Sequence, residues 1–213
     1  MAPQEARAQH PGESTRDAIL KAAERLFAER GFDNARLEDV AEAVGIKRAS
    51  IVYYFRDKRA LYGEVLSSVF GGYRERLVAA LDTPGPMLDR LEAAIEAWVD
   101  YVAERPTFAR LLLREVADSG RNDRPTAAEH IQPFVELIQR FLDTHREEAR
   151  RETPRVDPAH MAATIAGATV FFVAAMPVLL PENGFDPLEP AQVDAHRAEV
   201  LKIARRLLGV AES

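Results

Sequence analysis

The chain has 213 residues, of which 47% are hydrophobic and 29% charged, and its formal net charge is −6. These values are typical of a globular protein that buries a substantial core. Because the chain contains no cysteine, a disulfide framework, a thiol nucleophile and cysteine-ligated zinc are excluded, and the composition suits a reducing cytoplasm.

The N-terminal segment and the first helix open the chain. Residues 1–13 have no apolar stretch of the kind found in a signal peptide, and we expect them to form a disordered leader. Ser14 and Asp17 have the spacing of a capping box, with Asp in place of the usual Glu, and they predict a helix start. Apolar residues then recur along one helical face until Gly31, which is expected to end this helix.

A second, shorter helix is predicted from the apolar residues between positions 37 and 44. Asn34 is its expected N-cap, because a short polar side chain can accept a hydrogen bond from the first turn. The helix is expected to stop at Gly45, which tolerates the positive φ of a tight turn. Ala41 is small enough for a following helix to cross closely, so a helix-turn-helix is predicted here.

The run SIVYYF at residues 50–55 has the composition of a β-strand, but no other segment offers it a partner strand. We therefore predict a third helix, which places Ile51, Tyr54 and Phe55 on an inward face, with Tyr54 in the core. The opposite, outward face holds Ala49, Ser50, Val52 and Tyr53. A helix face of this size can enter the major groove of DNA.

Basic residues flank the predicted third helix. Residues 45–60 contain five basic side chains and one acidic side chain, although the whole chain is acidic. Lys47 occupies the N-cap position, where it supplies no capping oxygen and adds a positive charge to the helix N-terminus. The missing cap costs roughly 1 kcal/mol, and a bound phosphate would reverse the charge penalty. The cluster therefore predicts contact with nucleic acid.

Six further helices are predicted beyond residue 58, separated by segments rich in proline, glycine and polar residues. Their predicted ranges are 59–81, 87–104, 106–118, 126–150, 157–180 and 192–208. No alternating run long enough for a sheet lies between them, so the predicted fold class is all-α. We assign residues 14–60 to a helix-turn-helix DNA-binding domain and residues 61–211 to a helical ligand-binding and dimerisation domain.

The segment 161–180 carries no charge, which raises the alternative of a membrane span. Its Ala, Thr and Gly content, its internal Pro177 and its lack of aromatic ends favour a helix buried on all sides instead. Small residues here, together with an apolar stripe on the last helix, predict a four-helix interface between two copies of the chain. The predicted dimer residues are Ala163, Gly167, Val200, Ile203 and Leu207.

Aromatic residues concentrate in the middle of the second predicted domain. We expect them to line an apolar pocket for a small inducer, next to a kink at Pro177. The predicted lining residues are Trp98, Tyr101, Phe108, Phe134, Phe171, Phe172 and Met176. Ligand binding there would shift the fourth helix and lower the affinity for DNA.

The five histidines are scattered without metal-ligand spacing, and no catalytic motif is present in the sequence. No enzyme activity, cofactor or metal site is therefore predicted. Two function classes remain at this point. One is a DNA-binding regulator, and the alternative is an all-helical protein that associates with membranes or binds a small molecule without a DNA function.

Residues 15–66 resemble the N-terminal domain of the TetR family of bacterial transcriptional repressors. The segments FAERGF and DVAEAVGI carry the resemblance, with the triplet YYF and the lysine three residues after it. The remaining helices fit the ligand-binding domain of that family in number and length. The resemblance implies a homodimer that binds a palindromic operator and is released by a small apolar inducer.

The resemblance also implies which residues contact the operator, with Lys58 acting from the start of the fourth helix. The expected contact residues are Lys47, Arg48, Ala49, Ser50, Val52, Tyr53 and Lys58. Three positions depart from the family pattern, which usually has Thr at Ala35, Ser at Lys47 and often Tyr at Val52. Lys47 could alter the preferred operator sequence, and Val52 could contact a thymine methyl group in place of a hydrogen bond.

Overall fold

The computed structural model describes residues 14–117, 127–145, 157–181 and 184–208, and the regular structure in these ranges is helical. The helices are α1 Thr15–Asn34, α2 Leu37–Val44, α3 Arg48–Tyr54, α4 Lys58–Leu81, α5 Met87–Glu104, α6 Pro106–Ala117, α7 Ala127–Thr144, α8 Pro158–Ala174, α9 Met176–Leu179 and α10 Pro190–Leu207. The predicted all-α class is confirmed. The predicted leader, residue 118 of the sixth predicted helix, and residues 126 and 146–150 of the seventh lie outside the described ranges.

Helix α1 begins as its sequence predicts, and its regular helical geometry is interrupted at the predicted residue, Gly31. The Ser14 hydroxyl oxygen accepts a hydrogen bond from the backbone N–H of Asp17 at 3.2 Å, which confirms the predicted cap. Gly31 bends the helix with φ of 77°, but one more turn follows, up to Asn34. The Asn34 amide donates to the carbonyl of Arg30 at 3.1 Å. The prediction that Asn34 caps α2 is therefore wrong, and the cap position falls on Arg36, whose side chain makes no capping bond.

The turn between α2 and α3 has the predicted geometry. Gly45 adopts the left-handed conformation with φ of 78°, which costs glycine no steric penalty. The backbone N–H groups of Gly45 and Ile46 donate to the carbonyls of Glu42 and Ala41 at 3.1 and 2.9 Å, and so satisfy the end of α2. The strand-like run at residues 50–55 forms α3 up to Tyr54, as predicted.

The later helices match their predicted ranges closely, apart from the segment 157–180. This segment divides at Ala175 into α8 and the four-residue helix α9. The division lies just before Pro177, because proline disfavours continued helical geometry in the chain that precedes it.

Helix α8 is not buried on all sides within the single chain, so this expectation is wrong. Its exposed face includes Phe171, which is 52% exposed, and Val178 of α9 beyond it is 75% exposed. Buried residues such as Val170 and Val173 occupy the opposite face. Among the described residues, no helix combines the length and apolarity that crossing a bilayer requires.

The core joins the first three helices to the rest of the chain. Helix α4 packs along α1 at its start and along α5 over much of its length, so the predicted domain boundary at residue 60 falls inside one helix. Gly72 permits this close approach, since a Cβ atom there would lie 3.0 Å from the hydroxyl oxygen of Tyr101. A second core cluster forms where the end of α4 meets α5 and α7, around Leu77, Met87 and Phe141.

Candidate nucleic-acid interface and regulatory region

Helix α3 is anchored by two apolar side chains and presents its other face to solvent. Ile51 is fully buried, and Phe55, at the residue after the helix, is 3% exposed. Tyr53 is 84% exposed, Val52 and Ala49 are also exposed, and Ser50 is half-buried. The outward face that the sequence predicts is therefore available to a partner.

Tyr54 does not lie in the core, and the corresponding prediction is wrong. Its side chain is 40% exposed, and its ring meets the Tyr53 ring edge-on at 5.1 Å between centroids. With only seven residues, α3 has room for a single buried position, and Phe55 fills the remaining space from an extended conformation. Tyr54 instead borders a cleft of about 420 Å³, whose other lining residues are Arg16, Phe55, Arg56, Arg59, Ala60, Gly63 and Glu64.

The two basic residues at the start of α3 are in different environments. Lys47 is exposed at the N-cap, and its side chain makes no capping bond, as the sequence predicts. The Arg48 guanidinium pairs with Glu38 of α2 at 3.0 Å, and both side chains are more than half exposed. Exposed pairs of this kind contribute little to stability, so a phosphate could replace Glu38 at small cost.

Lys58 is turned onto the connection between α1 and α2. Its Nζ donates to the carbonyls of Asp33 and Ala35 at 3.1 and 2.9 Å and lies 4.6 Å from the centroid of the Phe32 ring. Partial burial lowers the pKa of this ammonium group, and the negative charge of Asp33 offsets only part of that decrease. Lys58 thus fixes the start of α4 to the helix-turn-helix. An operator contact by Lys58 would depend on its third N–H.

A buried ion pair connects α1 to the junction between α5 and α6. Glu24 is 7% exposed and accepts hydrogen bonds from Nε and Nη2 of Arg105 at 2.8 and 2.5 Å, and from the hydroxyl of Thr107. Burial disfavours the charge on Arg105, but the hydrogen bonds and charge of Glu24 outweigh it and raise the Arg105 pKa. Arg105 also donates to the Tyr101 hydroxyl at 3.1 Å, which in turn donates to the carbonyl of Val69 in α4.

A second arginine, Arg114 of α6, contacts the last turn of α1 before Gly31. Nε and Nη2 of Arg114 donate to the carbonyls of Ala28 and Glu29 at 2.8 and 2.5 Å. These carbonyls belong to the last turn before the bend at Gly31, where intrahelical partners run out. A Cβ atom at Gly31 would lie 3.2 Å from Nη1 of Arg114, so the arginine passes close to the bent backbone.

The structure divides the predicted pocket residues between two places. One set of ring contacts contains four of them: Trp98, Tyr101, Phe108 and Phe134. The same set also contains three residues that the sequence did not predict. Its additional members are Phe70 and Tyr73 of α4 and His130 of α7. We call these seven residues the aromatic cluster. Phe70 and Tyr73 are three positions apart and therefore lie on the same face of α4, and this spacing could have identified them from the sequence.

The other three predicted pocket residues lie outside the aromatic cluster. The ring of Phe172 stacks on His196 of α10, with 4.1 Å between centroids, and also meets Phe185. Phe171 is exposed and Met176 is half-buried in α9. We therefore restrict the candidate pocket to the aromatic cluster.

The predicted dimer residues fall on an exposed face, with one exception. Ala163 and Gly167 are exposed on α8, and Ile203 and Leu207 of α10 are 40% and 39% exposed. Val200 is 2% exposed and packs in the core of its own chain, since it lies on the inward side of α10 with Ala204. We leave Val200 out of the candidate dimer surface and add Phe171, one turn beyond Gly167.

A helix-turn-helix with an exposed recognition face, joined to a larger helical domain, defines a class of DNA-binding regulators. Comparison with known families identifies the particular one. Residues 19–65 match the family described as bacterial regulatory proteins, tetR family, and residues 88–203 match the tetracyclin repressor-like C-terminal domain. The chain belongs to the TetR family, whose characterised relatives are named as transcriptional regulators.

Individual relatives are similar over part of the chain. The transcriptional repressor NicS of Pseudomonas putida is 33% identical over 113 residues, which are 52% of this chain and 52% of NicS. The regulator RutR of Escherichia coli is 32% identical over 99 residues, 46% of each chain. These matches span about half the length of the relatives. The ketosteroid transcriptional regulator KstR2 of Mycobacterium tuberculosis shares the fold, with a TM-score of 0.72 at 19% identity over 96% of this chain and 98% of KstR2.

Proposed function

We propose that this protein is a cytoplasmic transcriptional repressor that binds a palindromic operator as a homodimer and is released by a small apolar inducer. The observation that carries the proposal is the outward face of α3. Its exposed residues, from Lys47 to Tyr53, are held outward by the buried side chains of Ile51 and Phe55. In this arrangement Lys47 and Arg48 reach the phosphates or base edges near the helix start, and Tyr53 reaches the backbone.

The exposed apolar face of α8 and α10 supports the dimer. Ala163, Gly167 and Phe171 recur every four residues along α8, and Ile203 and Leu207 lie four residues apart on α10. A two-fold axis through this face would bury it in a four-helix interface. Two recognition helices on one dimer would then read two half-sites, which explains why a palindrome is expected.

The aromatic cluster supports the inducer site, because it is connected to both helices that position α3. The Tyr101 hydroxyl contacts the backbone of α4, and through Arg105 it connects to Glu24 of α1. A ligand that separates these rings would move α1 and α4, and with them the spacing of the two recognition helices. The ligand acts only through its different affinities for the two arrangements.

Binding to DNA from the region upstream of the gene, at two salt concentrations, tests the proposal. Operator affinity should fall steeply as salt rises, and unrelated DNA should bind far more weakly. Lys47→Ala should reduce the salt slope by about 1.8 per dimer, since each of the two lost phosphate contacts accounts for about 0.9. Lys202→Ala on α10 removes the same charge far from α3 and serves as the control. Equal slopes for the two variants would contradict the proposed interface.

A further inference from the structure

Trp98 is the single tryptophan of the chain, and its indole N–H has no hydrogen-bond partner. The side chain is 7% exposed, and Nε1 is the one buried side-chain nitrogen or oxygen without a partner in the part of the chain that the structure describes. Buried tryptophan N–H groups usually find an acceptor, because leaving the donor unpaired is costly. This donor therefore calls for a specific explanation.

Other buried polar groups of the core are paired. The Tyr62 hydroxyl donates to Glu115, and the Tyr101 hydroxyl donates to the carbonyl of Val69. Trp98 differs although it lies among the same helices, edge-on to Tyr73 at 4.9 Å and to Phe108 at 5.4 Å between centroids. The indole N–H of Trp98 is thus an unused donor among buried aromatic rings.

The charges around the aromatic cluster argue against an anionic partner for this donor. Arg105 is committed to Glu24, and Arg76, whose guanidinium lies 5.2 Å from the Tyr101 ring centroid, pairs with Glu104. Burial lowers the pKa of His130, which keeps this ring neutral near pH 7. A carboxylate placed beside Trp98 would lose its hydration without gaining a dedicated cation.

We propose that the inducer is a neutral, largely apolar molecule with one carbonyl or ether oxygen that accepts a hydrogen bond from Nε1 of Trp98. This inference rests on the proposed function, in which the aromatic cluster is the inducer site. The rings supply apolar contact, and the single donor fixes the orientation of the ligand. A site that must hydrogen-bond its ligand discriminates against an analogue without the acceptor.

Three small probes separate the chemical alternatives. Acetophenone and ethylbenzene have the same ring and two-carbon chain and differ by the carbonyl oxygen, and benzoate supplies an anion. We expect acetophenone to bind about tenfold more tightly than ethylbenzene, which corresponds to one neutral hydrogen bond, and benzoate to bind most weakly. Because the chain has one tryptophan, the indole N–H gives a single side-chain resonance in a nitrogen-15 correlation spectrum of the wild-type protein. Acetophenone should shift this proton downfield, and ethylbenzene should not.

Trp98→Phe keeps an aromatic ring and removes the donor. Calorimetry should show that the preference for acetophenone over ethylbenzene falls to about one, while the affinity for ethylbenzene changes little. The wild-type spectrum provides the answer even if the variant folds poorly. The proposal is overturned if no probe moves the indole resonance up to about 10 mM, if acetophenone and ethylbenzene move it equally, or if benzoate binds more tightly than acetophenone.

Operator binding by the same samples separates this inference from the proposed function. If the protein binds its operator and ethylbenzene releases it as well as acetophenone does, the regulator stands and the role of Trp98 fails. If acetophenone shifts the indole resonance but no operator binding is found, the ligand site stands and the repressor proposal fails.

Discussion

The ion pair between Glu24 and Arg105 gives the most direct test of how the two parts of the chain are joined. Glu24→Gln keeps the shape of the side chain and removes its charge, which leaves the Arg105 guanidinium without a counter-ion. Breaking a fully buried pair costs about 3–5 kcal/mol. The Arg105 side chain is 28% exposed, so water compensates for part of the loss, and we expect a decrease of about 2–3 kcal/mol in the free energy of unfolding.

For a chain of this size, such a decrease corresponds to a drop of about 5–10 °C in the melting temperature. Circular dichroism at 222 nm, with urea denaturation at pH 7, measures both quantities. Glu199→Gln is the matched control, because Glu199 pairs with Lys202 on the surface and both side chains are more than half exposed. The control should melt within about 1 °C of the wild type. If Glu24→Gln does the same, burial of this pair contributes nothing net and the reasoning is wrong.

Three further changes have expected results. Lys47→Ser supplies the missing cap of α3 and should raise the free energy of unfolding by about 1 kcal/mol in urea titrations, while operator affinity falls. Phe171→Glu places a charge on the exposed face of α8 and should give a monomer in light scattering, where the wild type should give the proposed dimer. Burial lowers the His196 pKa, so the unfolded chain binds more protons than the folded chain below about pH 6.5, and the free energy of unfolding should fall between pH 7.5 and 5.5. His196→Phe should make this fall smaller.

Each of these changes has its own control and contrary outcome. Lys47→Ala lacks the capping oxygen, and equal stability of the two Lys47 variants would mean that the cap is irrelevant. Val135→Glu alters an exposed apolar residue on α7 and should leave the dimer intact, whereas a dimeric Phe171→Glu protein would exclude the proposed surface. Thr169→Val removes the hydroxyl that His196 Nε2 contacts at 3.2 Å and leaves the His196 ring buried, so it should keep the wild-type pH dependence. An unchanged dependence in His196→Phe would assign the effect to other groups.

The helix pattern was largely readable from the sequence because it depends on local rules. Apolar periodicity, a capping serine and a glycine in a left-handed turn acted within a few residues of each other, as at Ser14 and Gly45. The sequence does not show the tertiary support of the bend at Gly31. Arg114, more than eighty positions away, satisfies carbonyls at the bend, and the chain completes another turn before α2 begins.

The candidate sites were readable only in part. The outward face of α3 follows from helical spacing once Ile51 is placed inward, but the exposure of Tyr54 depends on how short the helix is. Membership of the aromatic cluster depends on which helices are neighbours, and the sequence does not state that α4 packs on α5. The unpaired Trp98 N–H cannot be predicted from the sequence, because it depends on the absence of an acceptor near Nε1 in the folded chain.

The hydrogen bonds from Arg114 to the bent end of α1 limit how the DNA-binding part of this protein can be exchanged with that of another regulator. A chimera that grafts residues 14–60 onto the C-terminal part of another regulator would lose the donors for the Ala28 and Glu29 carbonyls, and Glu24 would lose its cation. The recipient would need arginines at the positions equivalent to 105 and 114 for the grafted α1 to pack against it. A working graft therefore has to include residues from both parts of the chain.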